Sequence, residues 1–384
     1  MSNTLTGLYP VIYRAIDVVS RELVGFIPAV SRDARATRAG LNQTVRSPVV
    51  PALAAGNITP AATSSSGTDR IISYVDLTLS KSRKVPFHIT GEEEVALGES
   101  ATPIMQQSFE QAFRTLANEI EADLAALYVA SSRAYGSAGT APFGTAGDFS
   151  DFAQMHVILD DNGAPRTGRQ LVIGSAAMGN IRGKQSVLFK ANEAGTDELL
   201  RNGIVARVEG FDIHDSAQVK AHTKGAGTGY DVNNGAGYAV KDTTITLDGG
   251  TVNTTGIKAG DVVTWAGDSN KYVVNTGLTD VAGDIVLNKP GLRATLADTV
   301  EMTIGNSYAA NMAFTRDAIV LATRPPARPA GGDAADDTMM VTDPISGITF
   351  EVAVYRQYHQ VTYEVGLVWG VVANKSEHMA ILLG

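Results

Sequence analysis

Residues 103–134 read PIMQQSFEQAFRTLANEIEADLAALYVASSRA, and this stretch decides the fold. Its large apolar side chains recur at intervals of three and four residues: Phe109, Phe113, Leu116, Ile120, Leu124 and Leu127. That period is typical of one buried helical face, and no proline or glycine interrupts residues 104–135. At about 1.5 Å per residue, roughly thirty residues predict a strut of about 45 Å. The residues predicted for its opposite, solvent-facing side are Glu110, Arg114, Asn118, Glu121 and Asp123.

The composition limits the class of protein. A length of 384 residues allows about two to three domains and a substantial core. No apolar run reaches the roughly eighteen residues that a membrane span needs, and the first residues lack the blocks of a signal peptide. We therefore expect neither membrane insertion nor secretion. The absence of cysteine excludes disulfides, thiolate metal sites and cysteine nucleophiles.

The charge is distributed unevenly along the chain. The net charge is -9, but residues 1–50 carry six arginines against three carboxylates, a balance of +3, so the remainder carries -12. A dedicated nucleic-acid reader would present a strongly basic face. The pattern indicates an acidic body with a mildly basic N-terminal arm.

The first part of the chain is predicted to be a helix followed by an extended arm. Residues 4–24 have helical apolar spacing, with Pro10 in the opening turn. Arg32, Arg35 and Arg38 then follow without a clear period. The functional interpretation is contact with an acidic surface or a phosphate backbone. The alternative is a solvated loop with incidental ion pairs.

Residues 43–90 are predicted to be a projecting β-hairpin. Strand patterns cover residues 45–50, 71–79 and 85–89, and residues 54–69 between the first two have hardly any apolar side chain. Such a long connection is unusual in a compact domain, so we interpret it as an arm that gains its burial from a neighbouring chain. The alternative is a disordered surface insertion. The sequence Thr90-Gly91-Glu92-Glu93 then predicts a helix start with a capping box.

The middle of the chain alternates between helix and strand patterns. A helix is predicted over residues 149–159, a strand over 170–173, a helix capped by Ser175, and strands over 204–208 and 210–213. Residues 220–305 are rich in glycine and threonine and contain five short strand candidates, which predict a small antiparallel barrel. Because a helical pattern appears to both sides of this block, we expect an inserted domain. Long strands are predicted over residues 348–355 and 359–372.

The usual signatures of catalysis are missing or misplaced. Residues 174–179 lack the nucleophile-elbow spacing, Gly225, Gly227 and Gly229 lack the dinucleotide-loop spacing, and Lys184 is not followed by Ser or Thr. No two histidines lie three or four residues apart, as a helical zinc pair would require. We interpret His214-Asp215, Asp160-Asp161 and Asp336-Asp337 as structural. We expect no enzymatic activity, no cofactor and no metal site.

Several segments, taken in order, resemble the major capsid proteins of tailed bacteriophages, and in particular the coat protein of short-tailed Salmonella-type phages. The segments are TGEEE at 90–94, LANEIE at 116–121, GI at 203–204, GFDIHDS at 210–216, IKAGDVVTWAG at 257–267 and NMAFTRDA at 311–318. Each segment is short, and their order along the chain is the stronger signal. The resemblance covers most of the chain.

This resemblance implies an α+β fold of the Hong Kong 97 type, with a small antiparallel β-barrel inserted. The implied division is an N-terminal helix and arm at 1–42, an extended hairpin or E-loop at 43–90, and the spine helix with the peripheral domain at 91–164. The axial domain would occupy 165–219, the inserted barrel 220–305, and the rest of the axial domain with the return to the peripheral domain 306–384.

The function implied is self-assembly, without enzymatic activity, into an icosahedral shell of hexamers and pentamers around a double-stranded DNA genome. The implied partners are other copies of the chain, scaffolding, portal and decoration proteins, and packaged DNA without sequence preference; no membrane is involved. Assembly would take place in the host cytoplasm and the product would be the virion. The candidate assembly or inner-face contacts are Arg32, Arg35, Arg38, Arg46, Lys81, Arg83, Lys84, Glu92 and Glu93.

Two other functions stay open at this stage. An encapsulin-like nanocompartment would share the fold but would need a cargo-binding pocket. A carbohydrate-active enzyme with an accessory barrel is the more remote alternative, and the long helix alone is equally compatible with an ordinary enzyme core.

Overall fold

A computed structural model describes residues 8–23, 25–35, 37–49, 60, 73–98, 101–185, 207–252, 255–344 and 346–384. The predicted tip at 54–69 (apart from Pro60), residues 4–7, Val24 and most of the predicted strand at 204–208 lie outside these ranges. Within them, no helix is both long enough and apolar enough to cross a membrane.

Six α-helices are described. They are α1 Tyr9–Leu23, α2 Phe26–Ala29, α3 Gly91–Leu97, α4 Ala101–Ala126, α5 Ser150–Asp161 and α6 Ser175–Lys184. The predicted helices at 4–24 and 149–159 correspond to α1 and α5. Ser175 begins α6 but does not cap it, because Gly174 occupies the cap position and no side chain donates or accepts there.

The strut predicted from residues 103–134 is α4, but it is shorter than predicted. The helix ends at Ala126, a 3-10 turn covers Leu127–Ala130, and Arg133–Tyr135 is a strand. The extension to residue 134 is wrong because residues 132–135 bond to other strands: the Ser132 amide and hydroxyl both donate to the Met379 carbonyl oxygen. Tertiary pairing therefore overrides the local helical pattern.

The apolar face of α4 is buried as predicted, but one residue on the opposite side of the helix is buried too. Phe109, Phe113, Leu116, Ile120 and Leu124 are all fully buried, whereas Leu127 is half-buried. Glu121, predicted to face solvent, is fully buried as well. That prediction is wrong because α2 and residue 216 cover this position and bind the carboxylate.

The described ranges also contain twenty-one strands. In chain order they are β1 Ser31–Ala34, β2 Thr44–Val49, β3 Ser73–Thr78, β4 Lys81–Thr90, β5 Arg133–Tyr135, β6 Arg169–Ile173, β7 Arg207–Val208, β8 Phe211–Asp215, β9 Ala221–His222, β10 Tyr230–Val232, β11 Thr244–Asp248, β12 Val262–Trp265, β13 Lys271–Thr276, β14 Gly283–Leu287, β15 Glu301–Ile304, β16 Tyr308–Thr315, β17 Ile319–Arg324, β18 Asp337–Thr342, β19 Thr349–Gln357, β20 Gln360–Ala373 and β21 Met379–Leu383.

A six-stranded sheet packs against α4. Its order is β1-β17-β20-β19-β18, and β4 pairs along the N-terminal part of β20. The helices α1, α2 and α4 and the facing strands share the largest hydrophobic core, which includes Trp369. Two predictions are corrected by this sheet. The arm after Pro28 is a parallel edge strand, β1 on β17, and residues 85–89 belong to β4 in the sheet rather than to the projecting hairpin.

The glycine-rich block forms a closed six-stranded barrel. The strands pair in the cycle β12-β15-β10-β11-β14-β13-β12 around a core of their own. The sequence predicted five of these strands and missed β10, which has only three residues. The barrel is also continuous with its host, because β13 pairs with β5 and β5 pairs with β21.

The second host sheet runs β5-β21-β16-β6-β8-β7. The helical pattern expected to resume after the barrel is absent, since residues 306–344 and 346–384 form strands and short 3-10 turns only. Residues 311–315 belong to β16, which pairs with β21 on one side and with β6 on the other. Side chains on both faces of this strand are buried.

The strands β2 and β3 form a separate two-stranded hairpin, as the sequence predicted. Leu77 and Leu79 at its base are buried against Ala322 and Val368. Among the described residues, β2 and β3 pair only with each other.

Candidate assembly surfaces

The arm arginines contact the subunit to which they belong. Arg32 donates to the Ser346 carbonyl oxygen, and Arg35 pairs with Asp33 at 3.0 Å. Arg38 donates to the Pro326 carbonyl oxygen at 2.8 Å and forms an ion pair with Glu351. Burial lowers the pKa of the Arg32 guanidinium. These contacts fasten the arm to the sheet, and the Arg35 side chain remains 70% exposed.

The three cations of β4 join it to the spine helix and to β20. Lys81 Nζ lies 2.7 Å from an Asp123 oxygen, and the Trp369 indole donates to the other oxygen at 2.9 Å. Arg83 lies 3.6 Å from Glu119, and Lys84 lies 2.9 Å from Glu364. Exposed pairs of this kind contribute about 0–1 kcal/mol each, so they orient β4 more than they stabilise it.

The hairpin of β2 and β3 presents an exposed aromatic and cationic pair. Arg46 lies 3.1 Å from Asp76 on the opposite strand and 5.8 Å above the Tyr74 ring. The Tyr74 side chain is 56% exposed. Because this exposed aromatic ring lies beside an exposed guanidinium at the projecting end of the hairpin, we treat it as a candidate contact surface.

A second candidate surface surrounds α3. The predicted capping box is present: the Glu93 amide donates to the Thr90 hydroxyl at 3.2 Å, and the Thr90 amide donates to the Glu93 carboxylate at 2.9 Å. These hydrogen bonds lower the pKa of Glu93. No residue of α3 is buried.

The same surface contains two exposed apolar side chains that the sequence reasoning missed. Val95 is 84% exposed and Tyr358 is 90% exposed. They line an open depression with Thr90, Gly91, Glu92, His359 and Gln360. The sequence contained one signal for this surface, because Tyr358 is an aromatic residue in the short connection between two predicted strands. With three glutamates nearby, this depression would suit an apolar partner with basic neighbours.

The buried polar groups serve structural roles. His222 Nε2 lies 2.8 Å from the Asp261 carboxylate and His222 Nδ1 lies 2.8 Å from the Tyr128 hydroxyl. The Tyr308 hydroxyl donates to the Gly260 carbonyl oxygen at 2.6 Å, and burial raises the pKa values of Tyr128 and Tyr308. His222 and Asp261 are both buried, and this cluster joins the barrel to the 3-10 turn that follows α4.

The residues weighed earlier as catalytic candidates also have structural partners. His214 Nε2 lies 2.8 Å from the Gln170 side-chain oxygen, Asp160 binds Arg169 and Arg166, and Asp336 lies 3.1 Å from Arg356. Across the ranges that the structure describes, no three histidine or carboxylate side chains are grouped as metal ligands.

Comparison with solved structures identifies the fold. The capsid of Cyanophage P-SCSP1u matches 94% of this chain and 88% of its own, at 12% identity and a TM-score of 0.50. The chain has the fold of a phage capsid protein. The mature capsid of bacteriophage PhiM1 matches with 10% identity, 94% and 87% coverage and a TM-score of 0.46. A virus-like particle from Pyrococcus furiosus matches with 8% identity, 98% and 99% coverage and a TM-score of 0.42.

No protein-family model and no curated protein matches the chain. At identities this low the similarity is one of fold, and it extends over nearly the whole chain. It agrees with the mixed α+β architecture built on α4.

Proposed function

We propose that this chain is the major capsid protein of a tailed double-stranded DNA bacteriophage, which assembles into an icosahedral shell of hexamers and pentamers. The observation that carries the proposal is the match of 94% of the chain to a capsid subunit. A match of that extent includes the spine helix and both host sheets, and so is not a likeness of one local motif.

The distribution of burial supports assembly. Tyr74 on the β2–β3 hairpin, Val95 on α3 and Tyr358 in the β19–β20 connection are mostly exposed within the described subunit. Isologous or ring-forming contacts between copies would cover such surfaces. We propose that the hairpin crosses to a neighbouring subunit and that the α3 depression receives another part of the shell.

The proposed subdomains follow the expected order. The arm is assigned to 1–42, the E-loop to 43–90 except for its last strand, β4, which belongs to the host sheet, the spine and peripheral domain to 91–164, the axial domain to 165–219 and 306–384, and the barrel to 220–305. The side chains of Arg35 in the arm and Arg46 in the hairpin are 70% and 69% exposed, so both are candidates for contact with DNA or with another protein.

The remaining partners follow from a shell that must be built and filled. We propose a scaffolding protein, a portal protein, a decoration protein and packaged DNA as partners, the host cytoplasm as the place of assembly, and no enzymatic activity. The net charge of -9 would limit nonspecific association with nucleic acid outside the shell.

The test is to express the full chain, with and without a co-expressed scaffolding protein, and to examine it by size exclusion and negative-stain microscopy. Closed shells, or rings of five and six copies, are expected. A permanently monomeric product with hydrolase activity would contradict the proposal, and shells that form around a protein cargo would favour a nanocompartment.

A second test removes residues 54–69 from the hairpin connection. The subunit is expected to fold, with an unchanged far-ultraviolet circular dichroism spectrum, but to fail to close shells. A replacement of the same length in glycine and serine is the matched control, because it keeps the reach of the connection and changes only its side chains. Normal shells from the deletion variant would contradict the role of the hairpin.

A further inference from the structure

Glu121 is a buried carboxylate in the middle of the spine helix. Its side chain is 0% exposed and accepts hydrogen bonds from the Phe26 amide at 2.9 Å and the Ile27 amide at 2.8 Å. The Ser216 hydroxyl donates to it at 3.0 Å. One carboxylate thus joins three segments that are far apart in sequence: the start of α2, the spine helix and the residue after β8.

The three segments meet at close range. A Cβ atom placed on Gly25 would lie 2.5 Å from the Asp215 carbonyl oxygen and 2.7 Å from Ser216 Cβ, so only glycine fits there. The helix α1 comes directly before this point and packs its Ile12, Ile16 and Val19 into the same core. The position of the N-terminal helical segment, residues 9–29, therefore depends on how Glu121 is held.

The hydrogen-bond donors that reach Glu121 in the described structure are all neutral. The described acidic, basic and histidine side chains on α1, α4, β6 and β8 are Arg14, Asp17, Glu110, Arg114, Glu119, Asp123, Arg169, Asp212, His214 and Asp215, and Arg316 lies beside Pro28. Of these arginines, Arg14 is exposed, Arg169 pairs with Asp160, and Arg316 donates to the Pro28 carbonyl oxygen. Among the residues that the structure describes, the groups that bind an ionised Glu121 carry no positive charge, an arrangement that costs free energy.

We propose that Glu121 makes the docking of residues 9–29 proton-dependent, with the segment held most tightly when the carboxyl is protonated and detaching more readily when it is ionised. Detachment would expose the carboxylate to water and relieve the cost of burying its charge. This regulation belongs to the subunit itself and does not depend on whether the chain forms a shell.

The direction of the effect follows from proton linkage. Burial raises the pKa of Glu121 in the docked state, although the hydrogen bonds from Phe26, Ile27 and Ser216 oppose that shift. In the detached state the carboxyl would titrate near its ordinary value of 4.5. Between these two values the docked state holds the proton more firmly, so docking weakens as the pH rises through this window.

Hydrogen exchange on the full-length protein tests the proposal. The protection factors of amides in residues 9–29, corrected for intrinsic exchange, are expected to fall as the pH rises above 4.5, the ordinary pKa of a glutamate, towards the raised pKa of Glu121. One proton can change them by at most about tenfold per pH unit. The amides of β20 are the internal reference and should show no such change.

Four variants separate Glu121 from its neighbours. Glu121→Gln cannot ionise and should abolish the pH dependence, whereas Glu119→Gln, on the same helix but paired with Arg83, should keep it. Asp215→Asn should also keep the pH dependence, which would show that the Asp215 carboxyl is not its cause. Ser216→Ala loses one donor to the charge, so the fall in protection should extend to higher pH.

The proposal would be overturned by protection of residues 9–29 that is independent of pH in the unaltered protein, or by an unchanged pH dependence in Glu121→Gln. If Glu121→Gln does not fold, Ser216→Ala is the test. A fall in protection that does not extend to higher pH in Ser216→Ala would overturn the proposal. Shell formation is not part of this readout, so failure here leaves the proposed function untouched, and the reverse is also true.

Discussion

The barrel and the β2–β3 hairpin are both antiparallel, but within the described residues the barrel has no unpaired strand edge, whereas the two strands of the hairpin each have one. The barrel closes on itself, so each of its six strands has a partner on both sides and its side chains fill a core of their own. The hairpin has two strands, and its outer side chains at Arg46 and Tyr74 are exposed. A two-stranded ribbon is marginal by itself. The difference indicates that the barrel contributes more burial to the subunit than the outer part of the hairpin does.

The largest expected difference comes from the same substitution in both regions. Val263→Ala empties a fully buried barrel position, and the lost contacts and the cavity should cost about 2–3 kcal/mol. Val75→Ala in the half-buried hairpin should cost about 1 kcal/mol or less. Urea denaturation followed by the fluorescence of Trp265 and Trp369 measures both. Equal losses would show that the hairpin is as well packed as the barrel.

A smaller effect is expected from one hydroxyl group in the barrel. The Tyr272 hydroxyl donates to Asp268 at 2.6 Å and accepts from the Arg293 amide at 2.9 Å, so Tyr272→Phe should cost about 1–2 kcal/mol at neutral pH. Tyr355→Phe is the control, since its hydroxyl lies 3.3 Å from Asp333 on the surface.

The same tyrosine also predicts a pH dependence. Burial raises the pKa of Tyr272 above its ordinary value of 10.0. Above pH 10 the unfolded chain therefore loses this proton first, and the free energy of unfolding should fall as the pH rises further. In Tyr272→Phe this share of the alkaline loss should disappear, as measured by urea denaturation at pH 9 and pH 11. An identical alkaline loss in both proteins would refute the assignment.

The smallest effect on the subunit is expected at the exposed end of the hairpin. Tyr74→Ala should change the free energy of unfolding by about 0.5 kcal/mol or less, because the side chain is mostly exposed, but it should weaken shell assembly. Val281→Ala, which alters a 57% exposed side chain on the barrel, should change neither property. Light scattering during assembly compares the two, and normal assembly of Tyr74→Ala would break the contrast between hairpin and barrel.

Much of the architecture was accessible from periodicity. The spacing from Phe109 to Leu124, the capping box at Thr90 and Glu93, the hairpin strands and five barrel strands were all predicted, because each is encoded within about ten to twenty residues of sequence. The missed β10 has only three residues, too few for a visible alternation. Of the two candidate surfaces, the hairpin was predicted, but the exposure of Val95 and Tyr358 was not, because exposure depends on what else packs nearby.

Two of the errors share one cause. Residues 127–135 look helical, but Arg133 and Ala134 pair with β13 and β21 instead. Glu121 falls on the polar side of the helical wheel, but the backbone amides of Phe26 and Ile27 bind it in the core. In each case a partner about a hundred or more residues away along the chain decided the outcome.

The sequence by itself determined the long amphipathic helix, the strand-rich glycine block and the acidic character of the chain, since these depend on local spacing and composition. Only the tertiary structure decided that β13 joins the barrel to the host sheet through β5, that the arm arginines bind their own subunit, and that Glu121 is buried. The physical reason is that hydrogen-bond pairing and desolvation depend on which distant segments meet, and local periodicity carries no information about that choice.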